Sequence, residues 1–297
     1  MSGGASGSTG GEGEPGYRER AFTSQDGLRL HFRDYGDPLS TATPVLCLSG
    51  MTRNSKDFHH IAARVSAERR VLCLDYRGRG RSEYDPDWRR YQARTYAEDV
   101  RHLLAVTNVH KVVVIGTSLG GVMAMIMAAA MPCTLAGAVI NDIGPEIEGK
   151  GLARINAYIR NIPPLPSWEA AARYMQKTLP DFAVGGEDGW MNLARNTFRQ
   201  GDDGRLYPDW DSNLIKPLRD RDGGASVDLW PLFRALGRIP LLAIRGARSD
   251  VLSEDTFERM AGEVPGLARA TVPGVGHVPT LAEPEAVEAI DAFLARV

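Results

Sequence analysis

The chain has 297 residues, enough for one large domain or two small ones, and 43% of them are hydrophobic, which allows a sizeable buried core. Lysine and arginine number 35 against 37 acidic residues, a net charge of -2, so no basic excess points to nucleic acid and no acidic balance to a solvating tail. No stretch stays apolar for long enough to span a bilayer.

Residues 1–16 are rich in Gly, Ser and Glu and lack the apolar run of a signal peptide, so they read as a disordered leader. Arg18 to Thr23 and Leu28 to Asp34 then read as two strands of a hairpin, joined at Gln25-Asp26-Gly27. Pro44 to Leu48 is a short apolar strand. Asp57 to Val65 has helical spacing, with Phe58, Ile61, Ala62 and Val65 on one face. Val71 to Leu74 is the next strand, Tyr96 to Val106 an amphipathic helix, Lys111 to Ile115 a β-branched strand, Leu119 to Met131 an apolar helix, and Ala136 to Ile140 another strand.

The alternation pauses from Gly144 to about Gly237, a stretch that is helical or irregular with scattered Pro, Trp and Tyr. It resumes with a strand at Leu241 to Ile244, a helix at Glu254 to Met260, a strand at Ala268 to Val272 and a helix from Pro284 to Leu294. Alternating strands and helices imply a mostly parallel sheet covered on both faces. The expected organisation is a core of residues 17–143 and 238–297, with 144–237 inserted after the sixth strand as a helical cap. The cysteines Cys47, Cys73 and Cys133 are odd in number and match no zinc spacing. Cys47 and Cys73 lie in apolar runs and read as small core residues. A cytoplasmic setting is expected, with no metal or organic cofactor.

The strand Val112 to Ile115 runs into Gly116-Thr117-Ser118-Leu119-Gly120, and a helix follows at once. A sharp strand-to-helix turn strains the serine backbone and exposes its hydroxyl, and it brings the residues two before and two after so close that both must be glycine. The helix N-terminus faces the site, where its N–H groups favour negative charge. Ser118 is therefore the expected nucleophile.

A serine hydroxyl needs a base. Of six histidines, His31 and His102 lie within a strand and a helix, and His110 precedes the nucleophile strand at its wrong end. His59 and His60 open a helix. His277, in Val275-Gly276-His277-Val278-Pro279, sits in a loop at a strand's carboxyl end, where parallel sheets carry their ligands. The imidazole in turn needs a carboxylate to fix its tautomer. Asp250, in the loop after Leu241 to Ile244, gives the order Ser118, Asp250, His277 and is the expected acid. Asp142, ending the strand before it in Asn141-Asp142-Ile143, is the alternative; Asp75 reads as structural. Two backbone N–H groups should receive the negative charge of an acyl transfer, those of Leu119 and, after Leu48-Ser49-Gly50, of Met51. Arg53 and Asn54, just beyond, are candidate contacts for a polar substrate group.

On three blocks the chain resembles the α/β-hydrolase superfamily: Asp75-Tyr76-Arg77-Gly78-Arg79-Gly80-Arg81-Ser82, Gly116 to Gly121, and Gly276-His277-Val278-Pro279 with Glu283-Pro284-Glu285. It is most similar to capped bacterial esterases, enol-lactone hydrolases and C–C bond hydrolases. The resemblance implies an eight-stranded α/β-hydrolase fold. It also implies hydrolysis of a small-molecule carboxylic ester or lactone through an acyl-enzyme. Hydrolysis of a C–C bond in a vinylogous diketone and ligand sensing without catalysis are the alternatives. Ser49-Gly50 stands where the family has His-Gly, and Thr117 where many C–C hydrolases have Asn.

Overall fold

In the computed structural model, residues 16–160, 162–179, 181–182, 184–219 and 228–297 are described. The expected leader, apart from Gly16, lies outside them. The first hairpin forms from β1 (Tyr17–Thr23) and β2 (Arg29–Tyr35), whose strands pair antiparallel from Tyr17–Tyr35 to Thr23–Arg29. Then follow β3 (Val45–Leu48), α1 (His59–Val65), β4 (Val71–Leu74), α2 (Ala93–Val106), β5 (Val112–Thr117), α3 (Leu119–Ala130) and β6 (Leu135–Asn141). The chain closes with α8 (Trp230–Leu236), β9 (Leu241–Gly246), α9 (Glu254–Glu263), β10 (Ala268–Val272) and α10 (Pro284–Leu294).

These strands make one eight-stranded sheet in the order β1-β2-β4-β3-β5-β6-β9-β10. Only β2 is reversed, pairing antiparallel with both β1 and β4; every other pair in the sheet is parallel. Strand β3 and the Val112–Gly116 stretch of β5 consist of consecutive buried residues, as strands covered on both faces must. Alternate side chains divide between two apolar layers. Val112 and Val114 join the layer under α2, α3 and α8, and Val113 and Ile115 the layer under α1 and α10. Cys47 and Cys73 face each other in register on β3 and β4, buried and unpaired.

The order reverses at β3: the chain goes outward to β4, then crosses back to place β5 on the other side. The carboxyl ends of β3 and β5 therefore open side by side, the crevice in which parallel sheets place ligands.

Between β6 and β9 come α4 (Gly149–Arg160), α5 (Trp168–Thr178), α6 (Gly186–Thr197), a two-stranded ribbon of β7 (Phe198–Gln200) and β8 (Leu206–Pro208), and the short α7 (Lys216–Arg219). Leu165, Ala171, Met175, Leu193, Phe198 and Leu206 give this insertion a small apolar core of its own. Its polar side chains grip the loops at the carboxyl ends of the sheet. The helix α8, which falls within the expected cap residues 144–237, packs on α3, with Trp230, Phe233 and Leu236 in the main core. None of the described helices is long and apolar enough to cross a membrane.

Candidate active site

The turn from β5 into α3 is as tight as its glycines suggest. Ser118 has φ 51° and ψ -112°, a conformation an L residue adopts only under constraint. A Cβ on Gly116 would stand 2.3 Å from the Gly120 carbonyl oxygen, and one on Gly120 would stand 1.9 Å from that of Leu48. The hydroxyl of Ser118 is thereby lifted to the mouth of the crevice.

His277 reaches it from the loop after β10. Its Nε2 lies 3.2 Å from Ser118 Oγ, and its Nδ1 lies 2.7 Å from Asp142 Oδ2. This corrects the expected acid. Asp142 follows β6, whose register sets Asn141 beside Thr117, one residue from the nucleophile. Its backbone turns at φ 53°, and its fully buried carboxylate receives three donors: His277, the Gly246 N–H at 2.8 Å and the Ser249 hydroxyl at 2.6 Å. A buried carboxylate stays charged only with such a set.

Asp250 is turned away. It accepts two hydrogen bonds, 2.6 and 2.7 Å long, from the fork of Arg154 on α4. That pairing holds its carboxyl below the usual carboxylate range and raises Arg154. The first turn of α4 lies close against the same loop, where a Cβ on Gly151 would stand 2.3 Å from the Asp250 carbonyl oxygen. Gly246, the last residue of β9, and Ser249 in the loop beyond it both donate to Asp142, while Asp250 itself anchors the insertion.

The two expected oxyanion donors sit on the loop after β3 and at the start of α3. Met51 follows the turn at Gly50, and Leu119 opens α3, where no intrahelical acceptor exists for its N–H. Neither N–H donates to another acceptor among the described residues. A Cβ on Gly50 would stand 3.7 Å from that of Ser118, so the Gly50 turn lies against Ser118.

Arg53 and Asn54 do not serve as open substrate contacts, a second correction. Arg53 grips Asp57 with Nε and Nη2 and Thr197 of α6 with Nη1. Burial opposes its charge, but Asp57 outweighs burial and raises its pKa. Asn54 donates to the Asn196 carbonyl at 3.0 Å and accepts from the Lys56 N–H. Both side chains fasten the loop after β3 to the insertion.

Asn141, which sequence reasoning passed over, ties the parts together. Its amide donates to the Pro279 carbonyl at 2.8 Å and to Thr117 Oγ1 at 3.2 Å, binding the His277 loop to the nucleophile strand. The signal was a buried asparagine ending an otherwise apolar strand. A second histidine–carboxylate pair, His31 on β2 with Asp75 just after β4, is buried, and the His31 Nε2 meets no partner among the described residues. Among these residues no cluster of three His, Cys, Asp or Glu side chains is placed to hold a metal ion.

Serine, imidazole and carboxylate in one hydrogen-bonded row can move a proton off the hydroxyl. Residues 45–290 match the family described as the alpha/beta hydrolase family. The chain belongs to that family. The hydrolase is 31% identical over 263 residues to the 3-hydroxybutyrate-oligomer hydrolase of Cupriavidus necator, covering 86% of this chain and 89% of that one. It is 28% identical to the 2-(acetamidomethylene)succinate hydrolase of Mesorhizobium japonicum, over 90% and 92% of the two chains. Among solved structures it resembles an alpha/beta hydrolase from Novosphingobium aromaticivorans, with 43% identity, a TM-score of 0.90 and coverage of 96% of this chain and 100% of that one.

Proposed function

We propose that the hydrolase cleaves a carboxylic ester or lactone by a serine mechanism. The observation that carries this is His277, which faces Ser118 with one ring nitrogen and Asp142 with the other. Ser118 Oγ attacks the substrate carbonyl carbon while His277 Nε2 takes its proton. Asp142 holds Nδ1–H and stabilises the imidazolium. The carbonyl oxygen, now an anion, accepts from the N–H groups of Met51 and Leu119. The intermediate collapses to an acyl-enzyme as the imidazolium gives its proton to the leaving alkoxide. The same histidine then activates water to free the acid and Ser118.

The relative named for 3-hydroxybutyrate oligomers supports an ester as the scissile group and makes short hydroxyacid esters the first substrates to try. The test has two arms. A fluorophosphonate probe is expected to label the wild-type protein and to leave Ser118→Ala and His277→Ala blank. Nitrophenyl esters of rising chain length, hydroxyacid dimers, lactones and one ring-fission diketone are then assayed, with Ser118→Ala expected to lose about 10⁶ in kcat. An unlabelled wild-type protein would leave ligand sensing as the reading. Turnover of the diketone alone would replace the ester by a C–C bond.

A further inference from the structure

Among the described residues, the largest side chains with almost no exposure are two arginines, Arg77 and Arg79, each 1% exposed. Arg77 is neutralised: its fork donates to Asp26, Asp85 and Asp99. Arg79 forms no ion pair among the described residues. Its Nε donates to the Met51 carbonyl, and its Nη groups donate to the Arg77 carbonyl at 2.9 Å and the Tyr96 hydroxyl at 3.2 Å. Its guanidinium also lies 4.9 Å from the centre of the Tyr96 ring and 5.4 Å from that of Tyr76. Carbonyl dipoles and ring faces solvate a cation without cancelling its charge.

The backbone beneath Arg79 is fixed. Gly78 and Gly80 both have positive φ, 74° and 55°. A Cβ on Gly80 would stand 2.5 Å from Asp75 Oδ2, and one on Gly78 would stand 2.7 Å from the Tyr91 ring. The insertion holds the turn from above, through Gly80 N–H to the Asp209 carbonyl at 3.0 Å and Asp211 N–H to the Gly78 carbonyl at 2.7 Å. The turn therefore delivers a full positive charge to the residue whose N–H was assigned to the oxyanion.

We propose that Arg79 is a positioning residue of the oxyanion site, fixing Met51 through its carbonyl and placing an unneutralised charge behind the developing oxyanion. The proposal rests on the serine-hydrolase reading above. A buried charge in a site of low dielectric acts most on the state carrying the most opposite charge. Here that state is the tetrahedral intermediate, so Arg79 acts on kcat more than on KM.

The test compares wild type, Arg79→Lys and Arg79→Gln for kcat, KM and inhibition by an alkyl boronic acid, which binds serine as a tetrahedral anion. Arg79→Gln is expected to lower kcat and weaken the boronate in step, about tenfold to a hundredfold, with KM nearly unchanged. Arg79→Lys keeps the charge but loses the planar fork, and should recover part of both losses. Wild-type kcat and boronate affinity in Arg79→Lys and Arg79→Gln, or a loss confined to KM, would overturn the proposal. Equal losses in the two variants would overturn its electrostatic half. If Arg79→Gln does not fold, Arg79→Lys still tests the positioning half: without the planar fork on the Met51 carbonyl, kcat and boronate affinity should fall in step, and wild-type values there would overturn it. Failure of the serine-hydrolase reading is seen separately, as an unlabelled wild-type protein in the fluorophosphonate assay.

Discussion

Asp142 and Asp250 are both carboxylates in loops at the carboxyl end of the sheet, yet their surroundings set them to different tasks. Asp142 is fully buried with donors from Gly246, Ser249 and His277, so its charge is directed at the imidazole. Asp250 is partly exposed and closed off by Arg154. Asp142→Asn should lower kcat by about 10⁴, because the amide imposes the wrong tautomer on His277. Asp250→Asn should leave kcat within severalfold. Steady-state kinetics on one ester checks both, and the reverse ranking would restore Asp250 as the acid.

At the scale of elements, the β5–α3 turn is built by what its glycines avoid. Gly120→Ala would drive a Cβ into the Leu48 carbonyl, backbone that cannot move without displacing β3 and the loop carrying Met51. The expected cost is more than about 3 kcal/mol, seen as a loss of soluble protein or a sharp drop in urea midpoint. Asn141 belongs to the same scale, joining the end of β6 to the His277 loop and to β5. Asn141→Ala leaves the buried Pro279 carbonyl without that donor. It should cost about 1–3 kcal/mol in stability and, by loosening His277, about tenfold in kcat. A loss of stability with kcat untouched would make Asn141 a purely structural tie.

For the molecule as a whole, the insertion is fastened over the site by polar contacts. Arg154 holds Asp250, Arg53 holds Thr197, Asn54 holds the Asn196 carbonyl, and Asp181 accepts from the Gly276 N–H beside His277. The Arg154–Asp250 pair has a defined pH signature. Because Asp250 is depressed in the folded state, its contribution is present above the unfolded carboxyl's pKa and is lost as pH falls through the folded one. Wild type should exceed Asp250→Asn by up to about 1 kcal/mol at neutral pH, given the partial exposure of the pair. That gap should close below about pH 4 in urea titrations of the two proteins. A gap unchanged at acid pH would trace the stability to something other than the ion pair.

Local physics made much of this legible in one dimension. The continuous apolar strands, the glycines two before and two after Ser118, and the loop position of His277 follow from the chemistry of a few adjacent residues. They made the alternating strands and helices legible and pointed to Ser118 and His277 as candidates. The tertiary structure decided which carboxylate meets His277, a residue 135 positions from Asp142 in sequence. Two aspartates in similar loops cannot be ranked by pattern. They are separated by strand adjacency, since β6 lies next to β5 and β9 one strand further out. The same holds for Arg53, Asn54 and Arg79, because what a polar side chain does depends on partners within about 3 Å that only the folded chain brings together.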